Sequence, residues 1–230
     1  MAVRNTHFNH GVTFGPHRFG SQRGRQIQWN GTVAVLSFVP IAYDRDGICA
    51  SQTPGAAGNM TMDGARVTSG VAYMDVPRVV SVYGTGNESG KTFLFTGTDE
   101  YGQTMSELVT GPNNTTVYGA KAFWTITSVY ASAATAAAVE IGFGDKFGLP
   151  FKLRDVPLDP HWNSTVAKDA GTYVAAVTTD PATTTTGDVR GTYAMASAPQ
   201  SDGSKRMTML LIPYDIDSVS RTDWFGVTQV

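Results

Sequence analysis

From about residue 31 onward, short runs of β-branched and aromatic residues alternate with clusters of Gly, Asn, Asp and Pro, and no run sustains a helical period. A chain punctuated this often can only build short strands joined by turns. The runs near 32–39, 66–74, 78–84, 91–97, 104–110, 121–130, 137–143, 172–179, 188–194 and 206–214 predict strands. Two-residue alternation is clearest where Ala137, Val139, Ile141 and Phe143 oppose Ala138, Glu140 and Gly142, and where Met207, Met209 and Leu211 oppose Thr208. Leu210, Leu211 and Ile212 are apolar on both faces, so this strand is expected to be central or covered at an interface. Turn formers gather at 84–90, 98–102, 111–114, 180–187 and 200–203. The Ala-rich stretch 128–139 is the one helix candidate, and its Thr and Val neighbours favour loop plus strand. Between 146 and 165, Pro150, Pro157 and Pro160 exclude a regular central strand and predict a long crossover. The fold class that follows is all-β, an antiparallel β-sandwich of jelly-roll or Greek-key type.

At 230 residues the chain is long enough to bury a core as one body, 31–230, with division somewhere in 146–165 as the alternative. Charged residues make up only 16%, against about 25% in an average soluble domain, which argues against coiled coils and long charged helices. The single cysteine, Cys49, excludes an intrachain disulfide framework and a Cys-based zinc ribbon, and suits folding in a reducing cytoplasm. Met1–His10 has no apolar core of a secretory signal. Val33–Tyr43, the most apolar stretch, is far shorter than the roughly 20 residues of a membrane helix, so no membrane association is expected.

Residues 1–30 read differently. They carry Arg4, Arg18, Arg23 and Arg25 with no acid before Asp44, and isolated aromatics at Phe8, Phe14, Phe19 and Trp29, without sustained periodicity. This pattern predicts an extended N-terminal arm that lies across a partner, each aromatic filling a pocket. Four arginines over so long a stretch are too sparse to mark a nucleic-acid interface.

Motifs that would carry chemistry fail on spacing or context. Gly84-Thr-Gly-Asn-Glu-Ser-Gly90-Lys91-Thr92 ends like a phosphate-binding loop, but its glycine spacing is wrong and Thr92 leads into Phe93-Leu94-Phe95, a strand. His7, His10 and His17 sit in the arm and His161 in the crossover, with no metal-ligand spacing, and Asp44-Arg-Asp46-Gly47 reads as a tight turn. Cys49 reads as a small buried hydrophobe. Glu88, Asp99, Glu100, Glu107 and Glu140 could supply a glycosidase pair, but acids in turns are by default solvated. Neither a cofactor nor a metal is expected. What remains is a β scaffold with a weakly charged surface rich in Thr, Ser, Ala and Gly, better suited to assembly than to catalysis.

Segments between Pro77 and Leu153, namely Thr96–Gln103 (TGTDEYGQ), Gly119–Phe123 (GAKAF) and Gly144–Pro150 (GDKFGLP), resemble structural proteins of tailed bacteriophages, and so do Gly187–Tyr193 (GDVRGTY) and Asp202–Arg206 (DGSKR). The resemblance implies a virion component, most like a capsid decoration or cement protein. Such a protein is made in the host bacterial cytoplasm and binds the exterior of the assembled shell in many copies, as a homodimer or homotrimer, with the major capsid protein as its partner. It implies no enzymatic activity and no catalytic residue. On this reading Arg4, Phe8, Phe14, Arg18, Phe19, Arg23, Arg25 and Trp29 form the capsid-contact arm. Phe123, Trp124, Tyr130, Leu210, Leu211 and Ile212 are the candidates for an oligomer interface. A tail, adaptor or head-fibre component is the nearest alternative. A carbohydrate-binding module or small glycosidase, using Trp124, Tyr130, Trp162 or Tyr173 as stacking aromatics, is the alternative of a different class.

Overall fold

A computed structural model describes residues 24–30, 32–162, 168–196, 201–214 and 224–229. Its strands, in chain order, are β1 (Arg25–Asn30), β2 (Val33–Phe38), β3 (Asp44–Gln52), β4 (Gly58–Asn59), β5 (Val67–Thr68), β6 (Val71–Asn87) and β7 (Thr92–Thr98). They continue with β8 (Thr104–Thr110), β9 (Asn113–Ala131), β10 (Val139–Gly148), β11 (Leu158–Trp162), β12 (Thr172–Val174), β13 (Thr192–Ala194) and β14 (Met207–Leu211). All named strand pairings are antiparallel, in a four-stranded sheet ordered β1-β2-β14-β11 and a ten-stranded sheet whose main path is β12-β13-β10-β6-β9-β7-β8. The expected all-β antiparallel, sandwich-like architecture is present, with the larger sheet curled into a half-barrel.

Curling has a visible cause. Strands β6 and β9 run for 17 and 19 residues, several times the usual five or six, and their pairing slips between Tyr73 and Arg78, between Val79 and Ser81, and between Gly84 and Asn87. Each irregularity bends the ribbon and increases its twist, so the long pair wraps round instead of staying flat. The concave side buries Met74, Val80, Val82, Phe93, Phe95, Met105, Phe123, Ile126, Val129, Ile141 and Phe143 together with Ile48 and Cys49 of β3. The small sheet covers a second core. Its inward residues, Ile27, Ala34, Leu36, Phe38, Met207, Met209 and Leu211, pack on Phe147, Leu149, Phe151 and Trp224. Trp29 stacks on Phe151 with ring centroids 5.6 Å apart, and Phe38 meets the edge of Phe147 at 5.0 Å.

Arg78, fully buried on β6, marks the junction of the two cores. Its guanidinium lies 4.9 Å from the Phe143 ring centroid of one core and 5.0 Å from that of Phe147 in the other. It donates to the Ile41 carbonyl at 2.7 Å and to Asp75 at 2.9 Å, and pairs with Asp145 at 3.6 Å. Asp145 in turn accepts from the Ser201 hydroxyl, tying the segment before β14 to the same point.

Several expectations need revision. The stretch expected as the end of an arm, 25–30, is strand β1, fixed by its register of Arg25 against Phe38 and Trp29 against Ala34. Asp44–Gly47, expected as a tight turn, opens β3. The crossover 146–165 holds the end of β10 and the whole of β11, and β11 tolerates Pro160 because it lies at the edge of its sheet.

Arg78→Ala is expected to lower the unfolding free energy by about 3–5 kcal/mol, because it leaves Asp75 and Asp145 facing a buried void without their cation. Urea titration followed by tryptophan fluorescence measures this, and a loss below about 1 kcal/mol would mean that the cores join without Arg78.

Candidate functional site

Of the arm residues, Arg4, Phe8, Phe14, Arg18, Phe19 and Arg23 lie outside the described residues. Arg25 and Trp29 belong to the body. Arg25 is 2% exposed; it donates to the Gly148 carbonyl at 2.6 Å and pairs with Glu100, so its cation is engaged inside the fold and is not available to a shell. The interface candidates also divide. Phe123 and Leu211 are fully buried in the two cores, which removes them from any outer contact. Leu210 and Ile212 are half-buried, and their strand is central, lying between β2 and β11. Trp124 packs against the larger core. Only Tyr130, 41% exposed, presents a large ring to solvent.

Tyr130 belongs to a continuous surface. Across β8, β7 and β9, Leu108 pairs with Leu94 and Leu94 with Tyr130, so three apolar side chains form one cross-strand row. Neighbouring rows are hydroxylic: Thr92 with Thr110, Thr96 with Ser106 and Ser128, and Thr98 with Thr104 and Thr125. The Thr98 and Thr125 hydroxyls bond each other at 2.6 Å. Inward residues of the same strands, Phe93, Phe95, Met105 and Val129, are buried, and this alternation leaves the whole outer face of the three strands without a charge.

Where the curled sheet nearly closes, polar groups collect. Glu107 points from β8 toward β9, which is irregular around residues 119–121. Its carboxylate accepts from the backbone N–H groups of Ala120 and Lys121. Gly119 makes room for this, since a Cβ there would fall 2.5 Å from Glu107 Oε2. Lys146 of β10 donates to the Gly119 carbonyl at 3.3 Å. Lys121 is fully buried, and its Nζ has no hydrogen-bond partner among the described residues. Asp188 caps the next amide, accepting from Ala122 N at 2.9 Å. Burial pushes Glu107 up to about 7, against the pull of the Ala120 and Lys121 amides and the Lys121 and Lys146 ammonium groups. Burial lowers Lys121 and Lys146, opposed by Glu107 and Asp188.

Beside this seam is an open pocket of about 210 Å³ between Glu107, Leu108, Tyr118 and the loop Thr184–Thr186. The loop is held on β8 by a 2.8 Å bond from Leu108 N to the Thr184 carbonyl. Tyr118 is 45% exposed and lies against Gly144, where a Cβ would come within 2.4 Å of its ring.

Acids expected to be solvated are instead buried. Glu88, Asp99, Glu100 and Glu107 are each at most 4% exposed. Glu88 accepts from Ala136 N at 2.8 Å and Ala137 N at 2.9 Å, and pairs with Lys91. Burial would raise this carboxyl, and those bonds more than offset it, holding it below its ordinary value. Asp99 pairs with Arg190 at 2.9 Å and accepts from Gln229 at 3.0 Å. No sequence signal distinguished Asp99 and Glu100 from exposed turn residues, because their partners are 75 to 130 positions away, as with Glu100 and Arg25 or Asp99 and Gln229.

Cys49 is buried, and its thiol is pushed up to about 12 by burial and by the charge of Asp63, so it is a packing residue. Trp162, a candidate stacking aromatic, is 7% exposed in the smaller core, whereas Tyr173 is half-buried against it. Among the described residues no group of three His, Cys, Asp or Glu could hold a metal ion, and no helix is long and apolar enough to cross a membrane.

The seam carries a pH prediction. A carboxyl raised in the folded state lends stability that is fully present below its unfolded value near 4.5 and is lost as the pH climbs through about 7. Between pH 5 and 8 the protein is expected to lose on the order of 2 kcal/mol that Glu107→Gln does not lose. Parallel urea titrations of the two proteins across that range check it.

Comparison with protein-family models, with curated proteins and with solved structures finds no match to this chain.

Proposed function

We propose that this chain is a structural component of a tailed-bacteriophage virion, a decoration or cement protein that binds the exterior of the assembled shell in many copies and stabilises it. The observation that carries the proposal is the uncharged outer face of β7, β8 and β9 with its Leu108–Leu94–Tyr130 row. Interfaces between proteins are depleted of charge at their centres and enriched in aromatic anchors, and a twisted sheet offers such a centre without rearrangement. The resemblance of five segments to phage structural proteins adds support.

The partners in this reading are the major capsid protein of the same phage and further copies of the chain, as a homodimer or homotrimer. Residues 1–23 extend the contact, with Phe8, Phe14 and Phe19 as anchors. No reaction, cofactor or metal belongs to this role. Each contact is weak, and many identical contacts on one lattice multiply into firm binding. A protein that binds the assembled shell and not its free subunits shifts assembly toward the shell, which is the stabilisation.

Quantitative staining of purified particles against the major capsid protein is expected to give hundreds of copies. About a dozen would place the chain on a portal or tail ring, and absence from the particle would overturn a virion role. The double substitution Tyr130→Asp with Thr110→Asp, both at exposed positions, is expected to weaken binding to shells by at least about tenfold while leaving the melting temperature unchanged. Undiminished binding would remove this face from the contact.

A further inference from the structure

A second apolar surface lies at the open side of the sandwich, between the strands that end the two sheets. We propose that this groove is the docking site for the Phe14 segment of the chain's own residues 1–23, which it covers in the free protein. The inference rests on the reading of residues 1–23 as a contact arm and not on a virion role.

The groove is built from two edges. β11 ends the small sheet and β12 begins the large one, and about 480 Å³ between them is lined by Leu158–Pro160 on one side and Gly171–Tyr173 on the other. That volume falls within the roughly 300–1,000 Å³ of ligand clefts. Val156 and Leu158, which line it, are 51% and 38% exposed, among the few large apolar side chains the fold leaves to solvent. Its far wall is fixed before anything binds. Asp169 N donates to the Pro160 carbonyl at 2.7 Å, and the Tyr193 hydroxyl donates to the Asp169 carboxylate at 2.6 Å and accepts from Gly171 N at 3.1 Å. A preformed cleft gives up little freedom when an aromatic ring enters it.

Charge selects the occupant. Among the described residues that line the groove are two carboxylates, Asp159 and Asp169, and one ammonium, Lys168, which pairs with Asp159 at 2.8 Å and leaves the lining net negative. A fitting segment is apolar at its centre and cationic at its flanks. Residues 1–23 carry Phe8, Phe14 and Phe19 together with Arg4, Arg18 and Arg23, and no acid. The uncharged face of β7, β8 and β9 offers those arginines no counter-charge.

Reach selects the ring. The registers set Arg25, the first residue of β1, in one row with Phe38, Met207 and Trp162 across the small sheet. Three strand spacings and four residues along β11 then separate Arg25 from Leu158, roughly 20 Å in a straight line. An extended chain spans at most about 3.5 Å per residue, so Phe19 would have to follow that line, through space the sheet occupies. Phe14, with about 38 Å of chain behind it, has the length to pass round the sheet. A segment tethered at this range has an effective concentration in the millimolar range, which favours its own body over a second copy.

The test is photo-crosslinking of the full chain with p-benzoylphenylalanine at position 14, in the absence of shells and in an equal mixture of isotopically heavy and light protein. Cross-links are expected on Val156–Pro160 or Asp169–Tyr173, joining peptides of the same isotope. Leu158→Arg and, separately, Val156→Arg are each expected to cut their yield by at least about fivefold with an unchanged melting temperature. The proposal is overturned if cross-links are absent or fall elsewhere, if both variants leave the yield unchanged, or if heavy is joined to light, which would give the groove to a second copy. Copy number in particles is measured apart from this, so failure of the groove and failure of the virion reading are told apart.

Discussion

Charge buried between the two sheets is the constraint on which the rest of the fold depends. Arg25 at the start of β1 and Arg190 before β13 meet Glu100 and Asp99 in the β7–β8 turn, all four side chains at most 5% exposed. Arg190 also donates to the carbonyls of Leu149 and Phe225, and Arg25 to that of Gly148. Burial would lower the Arg190 guanidinium, and Asp188, Asp99 and Glu100 overcome it and raise its pKa. Desolvating four charges costs about as much as their attraction returns, so such a network adds little net stability. Its contribution is geometric. A hydrophobic contact tolerates sliding, whereas two guanidinium groups, two carboxylates and three carbonyls fit together in one way, and that fixes how the small sheet sits on the large one. Arg78 does the same where the two cores join.

The strands were legible because a strand is a local pattern. β8 was expected over 104–110 and spans those residues, and β7 and β14 differ from expectation by one to three positions. Cys49 was legible as a buried hydrophobe for the same reason, with apolar Ile48 and Ala50 on either side. What escaped was every property set by distant partners. Arg25 looked like part of a basic arm because the carboxylate that neutralises it lies 75 residues on. Asp99 and Glu100 looked like ordinary turn acids, and Glu107 like the solvent side of a strand. The length of β9 was underestimated because its first half, Asn113–Ala120, is polar and Gly-containing, and it becomes a strand only by pairing with β6. The segments that resemble phage structural proteins are largely these same positions. They read as a set of turns in one dimension; in three, Asp99, Glu100 and Arg190 share a buried charge cluster, Asp145 pairs with Arg78, and Asp202–Arg206 stays exposed.

An unusual division of residue types results. Carboxylates and guanidinium groups are drawn inward to fix geometry, and the outer face of β7, β8 and β9 is left to threonine, serine and one apolar row. The strand that closes the half-barrel through Glu107 also carries Leu108 into the apolar row, its alternation of buried and exposed side chains serving the two separately.

The order in which these strands leave the ribosome has a consequence of its own. The curled sheet takes most of its strands from one continuous stretch, 44–148, whereas the small sheet needs β1 and β2 from the start of the described chain and β11 and β14 from far beyond it. β2 has no partner on its second edge until β14 is made, well over a hundred residues later. Synthesis therefore produces a half-barrel with a complete core of its own, attached to a β1–β2 hairpin whose apolar face waits uncovered. Long-range pairing of this kind is slow and leaves sticky edges exposed in the interval. That interval, more than the stability of the finished fold, sets how much of the chain is lost to aggregation.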